Sequence, residues 1–508
     1  MRTPAPGRCS YKFFWPPLSA EFFEFALFSA VPAAIKRTDW ARDMTTLVPR
    51  ERSFRDPSGF VFRAGQRVLR AVEPSVFATL KRFLESQPAQ RFMAAGQLVN
   101  TWFPDPGDFA SELPFHYRLA EHEPVPFVSY PSEWPAEMLA AAGRLTLELA
   151  GQCLTHGWRL KDATPYNVLF RGASPVFVDL LSFEQRDPRD PLWPAYAQFV
   201  RTFLLPLLAG SELTPIWLAH RDGIEPEQLY PSLSWTRRLT PPALTLVSLP
   251  IWFSRRAVSD ARLYLPRPTG PDRASFTLSS MFRTLRRQLD RLSSPSRASR
   301  WSKYLDTQTH YTPRQFAAKE SFVSSILREF PPRRVLDAGA NTGHFSELAA
   351  RAGSSVIAID SDPAAVGRLW HRASSRKLDI QPLVVDLCRP TPALGWRNVE
   401  TTSFLDRARH GFDMVIMLAL IHHMLISERV PLEEILDLAS ELTTNLLLIE
   451  FVEPSDSMFR RLTRGRDALY AHLTASYFES ACANRFQILR KQHIAESSRT
   501  LYLLRRNR

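Results

Sequence analysis

The stretch VLDAGANTGHFS, residues 335–346, decides how the second half of this chain is read. An apolar run ends in an acid, turns through Gly339 and Gly343, and enters residues of helical pattern. In an open α/β sheet, ligands sit at the carboxyl ends of strands, near the point where strand order reverses. Gly339 permits a tight turn and close approach of a ligand to the backbone, and Gly343 lets the helix start near the sheet. Asn341 stands where the commonest dinucleotide fingerprints have a third glycine. Asn tolerates the left-handed backbone that Gly would adopt, and its side-chain amide can serve the loop or a ligand.

The acids around this turn narrow the ligand. Asp337 lies two residues before Gly339. A carboxylate there repels a pyrophosphate and suits a cofactor that carries an ammonium and a sulfonium. Asp360 ends the next apolar run, 356–360, 21 residues after Gly339. That is the place for a carboxylate accepting hydrogen bonds from both ribose hydroxyls. Asp386 ends a third run, 383–386, within reach of an adenine edge. Any one of these acids alone reads as a cap or turn residue. The ordered set Asp337, Gly339, Asn341, Gly343, Asp360 and Asp386 at strand–helix–strand spacing points to S-adenosylmethionine as the cofactor, rather than a dinucleotide.

Beyond the loop, strand-like runs at 335–338, 356–360, 383–386, 413–418 and 446–451 alternate with helical stretches such as 344–352, 363–372 and 431–442. This alternation predicts an α/β domain with a parallel sheet covered on both faces. The runs 486–489 and 500–504 read as a closing hairpin.

From about residue 301 to the C-terminus the chain resembles the class I S-adenosylmethionine-dependent methyltransferases. DAGANTG (337–343) resembles their first motif, IDSD (359–362) the second and VVDL (384–387) the third. FDMVIMLALIHHML (412–425) resembles the fourth, and LLIEFVEPSD (447–456) the fifth strand with its following loop. The run is similar to bacterial NoeA-related, nodulation-type methyltransferases. The resemblance implies a Rossmann-like, mostly parallel seven-stranded sheet. It also implies O-methyl transfer to a small-molecule or glycan hydroxyl, the glycan being a sugar or lipo-oligosaccharide by analogy.

A hydroxyl acceptor must lose a proton, and an imidazole titrates near neutrality. His422 and His423 follow the fourth strand and are candidate bases; alternatively one packs against the helix 431–442 and the other lines the pocket. Glu450, inside the apolar run LLLIEF, is costly to bury without a partner, so it is a candidate for catalysis or for positioning, with Glu453 close by. No metal site is expected.

The first half carries a second pattern. RLKDATPYNVLF (159–170) leads through the turn RGAS (171–174) into PVFVDLLSF (175–183), so that Asp162, Asn167 and Asp179 follow in order. This resembles the catalytic loop and metal-binding Asp of kinase-like and aminoglycoside-phosphotransferase-like folds, where the first Asp orients the acceptor hydroxyl and the others hold magnesium. On that resemblance 59–72 is an N-lobe hairpin, 139–157 the long helix before the loop and 195–208 a helix after it. The match departs at three places. No GxGxxG loop is visible, DLL stands for DFG, and Arg63, Arg67 and Arg70 stand where a lysine is expected. Otherwise Asp162, Asn167 and Asp179 make turn and cap hydrogen bonds in a scaffold.

The expected organisation is an extension at 1–50, with ordered patterning beginning near residue 54. An α+β kinase-like accessory domain follows at 51–253, then an Arg/Ser/Pro-rich linker at 254–302, and the methyltransferase domain at 303–508. Within the linker, MFRTLRRQLDRL (281–292) has helical period, with Met281, Phe282, Leu285, Leu289 and Leu292 on one face and arginines on the other. The competing functions are a phosphotransferase with a cofactor-binding regulatory domain and a non-catalytic binding protein.

Bulk composition adds limits. At 508 residues the chain exceeds one typical core. Its net charge of +13 sets 56 arginines and eight lysines against 51 acidic residues, and the arginine excess, scattered along the chain, reads as GC-rich coding more than as a nucleic-acid surface. Four cysteines without a CxxC pair suggest neither a disulfide framework nor a zinc site and fit a reducing cytoplasm. No run approaches the ~18–20 apolar residues of a membrane span. The Phe-rich 20–36 is interrupted by Glu21 and Glu24 and does not read as a signal peptide.

Overall fold

A computed structural model describes residues 53, 55–104, 117–210, 220–254, 269–293 and 311–507. The extension at 1–50 and most of the Arg/Ser/Pro-rich stretches lie outside the described residues. The first half opens with a four-stranded antiparallel sheet. Its strands are β1 (Gly59–Ala64), β2 (Arg67–Val72), β3 (Thr101–Trp102) and β4 (Arg118–His122), in the order β1-β2-β4-β3. The long helix Ala136–Leu154 comes next, buried on most of its faces. The short strands β5 (Trp158–Leu160), β6 (Val168–Arg171), β7 (Ser174–Phe177) and β8 (Phe183–Gln185) follow. β6 and β7 form the expected hairpin, with Arg171 paired to Ser174 and Gly172 at a φ of 56° in the turn.

The helix Pro271–Leu292 behaves as its period predicts. Leu278, Phe282, Leu285 and Leu289 are buried, while Arg283, Arg286, Arg287 and Arg291 are exposed. Its apolar face packs on the helix Ala136–Leu154, with Arg144 paired to Asp290 at 2.7 Å and the ring of Phe282 edge-on to Trp193. The helix thus adheres to the first half instead of standing free between two domains.

In the second half, strands β9 (Arg334–Ala338), β10 (Ser355–Asp360), β11 (Ile380–Val384), β12 (Phe412–Met417), β13 (Thr443–Val452), β14 (Phe486–His493) and β15 (Arg499–Arg506) make one sheet. Its order is β11-β10-β9-β12-β13-β15-β14. The first five are parallel, and β15 runs antiparallel between β13 and β14. The apolar runs are continuous because both faces are covered by helices. The strand order reverses between β9 and β12, so the ends of these two strands frame the switch point where a ligand is expected.

The two halves share a hydrophobic core within one compact unit, Pro49–Arg508. Trp370 Nε1 donates to the carbonyl of Ala173 at 3.1 Å, and Gln381 Nε2 donates to Ser129 Oγ at 2.8 Å. The helix Pro363–Arg376 approaches the helix Ala136–Leu154 so closely that a Cβ on Gly367 would lie 2.3 Å from Glu137 Oε2. Arg407 reaches across to the fully buried Glu133, donates to the carbonyl of Val128, and lies 5.3 Å from the ring centroid of Phe127. Removing one partner of such a pair strands the other charge in the core, at a cost of about 3–5 kcal/mol. Arg407→Met is therefore expected to lower the melting temperature clearly, and Glu133→Gln added to it to recover part of the loss. A single variant that melts with the parent contradicts this role.

Candidate active site

The turn after β9 is built as its residues dictate. Gly339 and Gly343 take φ of 76° and 82°, and Asn341 sits between them at 52°. Asn341 Oδ1 accepts the amide of Thr342 at 2.7 Å, so its side chain fastens the loop to itself. A Cβ on Gly343 would meet Leu369 at 2.1 Å, which fixes glycine at the start of the helix His344–Arg351.

Asp360, at the end of β10, holds this loop from the neighbouring strand. Its Oδ2 accepts the amide of Asn341 at 2.8 Å and its Oδ1 that of Asp362 at 2.9 Å. Burial raises the Asp360 carboxyl above the usual range, and those backbone amides oppose the shift. A carboxylate has about four acceptor sites, so Asp360 keeps capacity for a pair of hydroxyls. Asp337 is buried and accepts Ser346 Oγ at 2.5 Å, which ties β9 to the helix that follows it. Asp386 lies past the end of β11, in a turn where its Oδ1 accepts the amide of Cys388 and its Oδ2 pairs with Arg389.

These residues line one cavity of about 360 Å3. Asp337, Gly339, Asn341, Asp360 and Asp386 all contribute to its wall; Gly343 does not, and acts through the helix start. The opposite wall comes from the turn after β12, residues 418–420, and from His423 and Met424 on the short helix Ile421–Ile426. Three carboxylates about a mainly apolar cavity suit a cationic molecule that also carries a hydroxyl pair. S-adenosylmethionine is such a molecule, and the residues present fit it.

The histidine pair divides. His423 lines the cavity, whereas His422 is 2 % exposed, lies behind it, and has no partner at Nδ1 among the described residues. Burial, with His423 and Arg499 nearby, drives the His422 pKa well below its ordinary value, so its ring is neutral. The two rings are 4.3 Å apart, on a helix rather than on the strand end that the sequence suggests.

Glu450 does not line the cavity. Its carboxylate, 0 % exposed, lies beneath it and is fully engaged. Lys319 Nζ donates to Oε2 at 2.6 Å, the amide of Ala419 donates to Oε2 at 2.9 Å, and Arg499 Nη1 donates to Oε1 at 3.3 Å. The hydroxyl of Tyr311 completes the set. Burial works against the charge, but Lys319 and Arg499 outweigh it and hold the carboxyl at about 2. Tyr311, Lys319 and Arg499 are absent from the sequence-based candidates. Lys319 left a signal, since it falls on the apolar stripe of Phe316, Val323 and Ile326 in its helix.

In the first half the three candidates lie together. Asn167 Nδ2 donates to the carbonyl of Asp162 at 3.5 Å and to Ser182 Oγ at 3.2 Å, and Ser182 in turn donates to Asp179 Oδ2. Asp179 Oδ1 is paired with Arg70 Nη1 at 3.0 Å. Burial and the Asp179 charge raise the Asp162 carboxyl. Among the described residues no group of His, Cys, Asp or Glu is arranged to hold a metal ion, and no helix is long and apolar enough to cross a membrane.

Residues 279–494 match a family described as methyltransferase domain. Over 469 residues the chain is 30% identical to nodulation protein NoeA of Rhizobium meliloti (strain 1021), which covers 90% of this chain and 95% of that protein. Among solved structures, N-methyltransferase NodS from Bradyrhizobium japonicum WM9 aligns at 15% identity over 39% of this chain and 98% of its own, with a TM-score of 0.29. The PH0226 protein from Pyrococcus horikoshii OT3 aligns at 15% identity over 40% and 98%, with a TM-score of 0.30.

The site sets a pH dependence. Burial pushes the Asp337 carboxyl up to about 6; Ser346 and Lys319 oppose the shift and Asp360 adds to it. Above that pH the carboxylate is charged and attracts a cationic ligand; below it the proton cancels the attraction. Affinity for S-adenosylhomocysteine, which keeps the ammonium, is expected to fall as pH drops from 7.5 to 5, approaching about tenfold per unit at the acid end. Asp337→Asn should flatten that slope in calorimetry; an unchanged slope contradicts the assignment.

Proposed function

Because the chain belongs to the family of nodulation protein NoeA and is an S-adenosylmethionine-dependent methyltransferase, we propose that it methylates a hydroxyl oxygen on a small-molecule or glycan acceptor, with His423 as general base. The observation that carries this reading is the position of His423, on the wall of the cavity that also holds Asp337 and Asp360. S-adenosylmethionine supplies, when bound, a methyl carbon already activated by positive sulfur. The chain then has to orient, exclude water and take one proton. Asp337 attracts the ammonium, Asp360 accepts from the ribose hydroxyls, and Asp386 stands toward the adenine. His423 receives the proton that the acceptor hydroxyl releases as its oxygen bonds to the methyl carbon, while the bond from that carbon to sulfur breaks and S-adenosylhomocysteine is the leaving group. Glu450 is a positioning residue here, since it fixes the turn at Ala419 and touches nothing in the cavity.

The first half supports a kinase-like scaffold more than an active phosphotransferase. Both oxygens of Asp179 are already taken, one by Arg70 and the other by Ser182. Magnesium would have to displace a buried guanidinium whose charge opposes it.

Incubation with methyl-labelled cofactor and fractionated extracts tests both parts. Label should enter a glycan or small-molecule fraction, and His423→Ala should slow it by about 100-fold or more with cofactor affinity unchanged. Label in protein or nucleic acid, or full activity in His423→Ala, contradicts the acceptor and base assignments. A magnesium-dependent rise in melting temperature with ATP would restore the phosphotransferase alternative.

A further inference from the structure

A second cavity, of about 600 Å3, adjoins the cofactor cavity and shares Ser427 with it. It lies between the end of the helix Ile421–Ile426 and the helix Ser457–Thr463. Four arginines line it: Arg429, Arg461, Arg464 and Arg466. No acidic side chain does, and among the described residues none of the four has an ion-pair partner. Two other arginines nearby are paired. Arg389 pairs with Asp386 and Glu428, and Arg499 with Glu450 and Asp456.

Guanidinium groups stay charged at every pH of interest, so four exposed around one cavity make a positive surface that favours an anion. Their planar forks match the oxygens of phosphate and sulfate. Arg429 and Arg464 take φ of 59° and 51°, a left-handed conformation that commonly goes to Gly or Asn. Arg464 ends the helix Ser457–Thr463 and is followed by Gly465, so a glycine lies next to a strained arginine. The helix is anchored at its other end, where Asp456 accepts the amides of Met458 and Phe459 and pairs with Arg499.

We propose that this arginine-lined cavity binds a phosphate or sulfate ester carried by the methyl acceptor, so that the substrate is an anionic molecule. The inference rests on the methyl-transfer reading of the adjoining cavity and adds the charge class of the acceptor. The four arginines are exposed around one small open cavity, a spacing that fits the compact oxyanion of a single ester group.

The test uses the full chain, with and without saturating S-adenosylhomocysteine, titrated calorimetrically with glucose 6-phosphate, glucose 6-sulfate and glucose. One or both charged sugars should bind at least tenfold tighter than glucose. The double variant Arg461→Ala/Arg464→Ala should lose that preference while its affinity for S-adenosylhomocysteine stays within twofold. A phosphate ester gains its second charge near pH 6 and should bind more tightly above it, whereas a sulfate ester should show no such step. Equal binding of all three sugars, or an undiminished preference in the double variant, overturns the proposal. Failure of S-adenosylhomocysteine to bind the parent chain instead overturns the cofactor reading, and the sugar arm without it still reports on the arginines.

Discussion

A carboxylate with no contact to water holds the second half of this protein together. Burying Glu450 alone would cost several kcal/mol, and the cost is met by convergence of groups from distant parts of the chain. Lys319 comes from the helix Pro313–Glu329, Arg499 from the start of β15, Tyr311 from the segment before that helix, and the Ala419 amide from the turn after β12. The turn puts Ala419 at a φ of 53°, and the hydrogen bond to Glu450 holds it there. Through that turn the buried charge shapes one wall of the cavity that Asp337 and Asp360 line. Through Arg499 it reaches Asp456, the cap of the helix that carries the arginine cavity. One network therefore supports both cavities.

The sheet and the turn after β9 were legible because their signals are local. Parallel strands covered on both faces read as unbroken apolar runs, and Gly339, Asn341 and Gly343 mark a turn by their backbone requirements. Strand ends were less legible. The third strand reads as 383–386 but runs Ile380–Val384, because Asp386 belongs to a turn held by Cys388 and Arg389. The histidine pair reads as a strand end but forms a helical turn, so neighbouring rings face different surroundings.

What stayed hidden depends on long-range packing. Tyr311 and Glu450 are 139 residues apart, and Arg499 and Tyr311 188 apart. No local pattern links such pairs. The joining of the halves is of the same kind. Residues 254–302 read as a linker by composition, but the helix Pro271–Leu292 returns its apolar face to the first half. The buried Arg407–Glu133 pair shows why arginine content alone says little about partners. A scattered arginine serves as core strut, surface charge or ligand contact according to its neighbours.

The central claim is that Asp360 marks the ribose end of an S-adenosylmethionine site built on the Gly339 loop. Calorimetry of S-adenosylhomocysteine binding to Asp360→Ala tests it most directly, with circular dichroism to confirm the fold. The account predicts a loss of affinity of at least about 100-fold, the lower bound when two charge-assisted hydrogen bonds of about 1.5–3 kcal/mol each are removed, in a chain that stays folded. Near-parental affinity in a folded variant would contradict it.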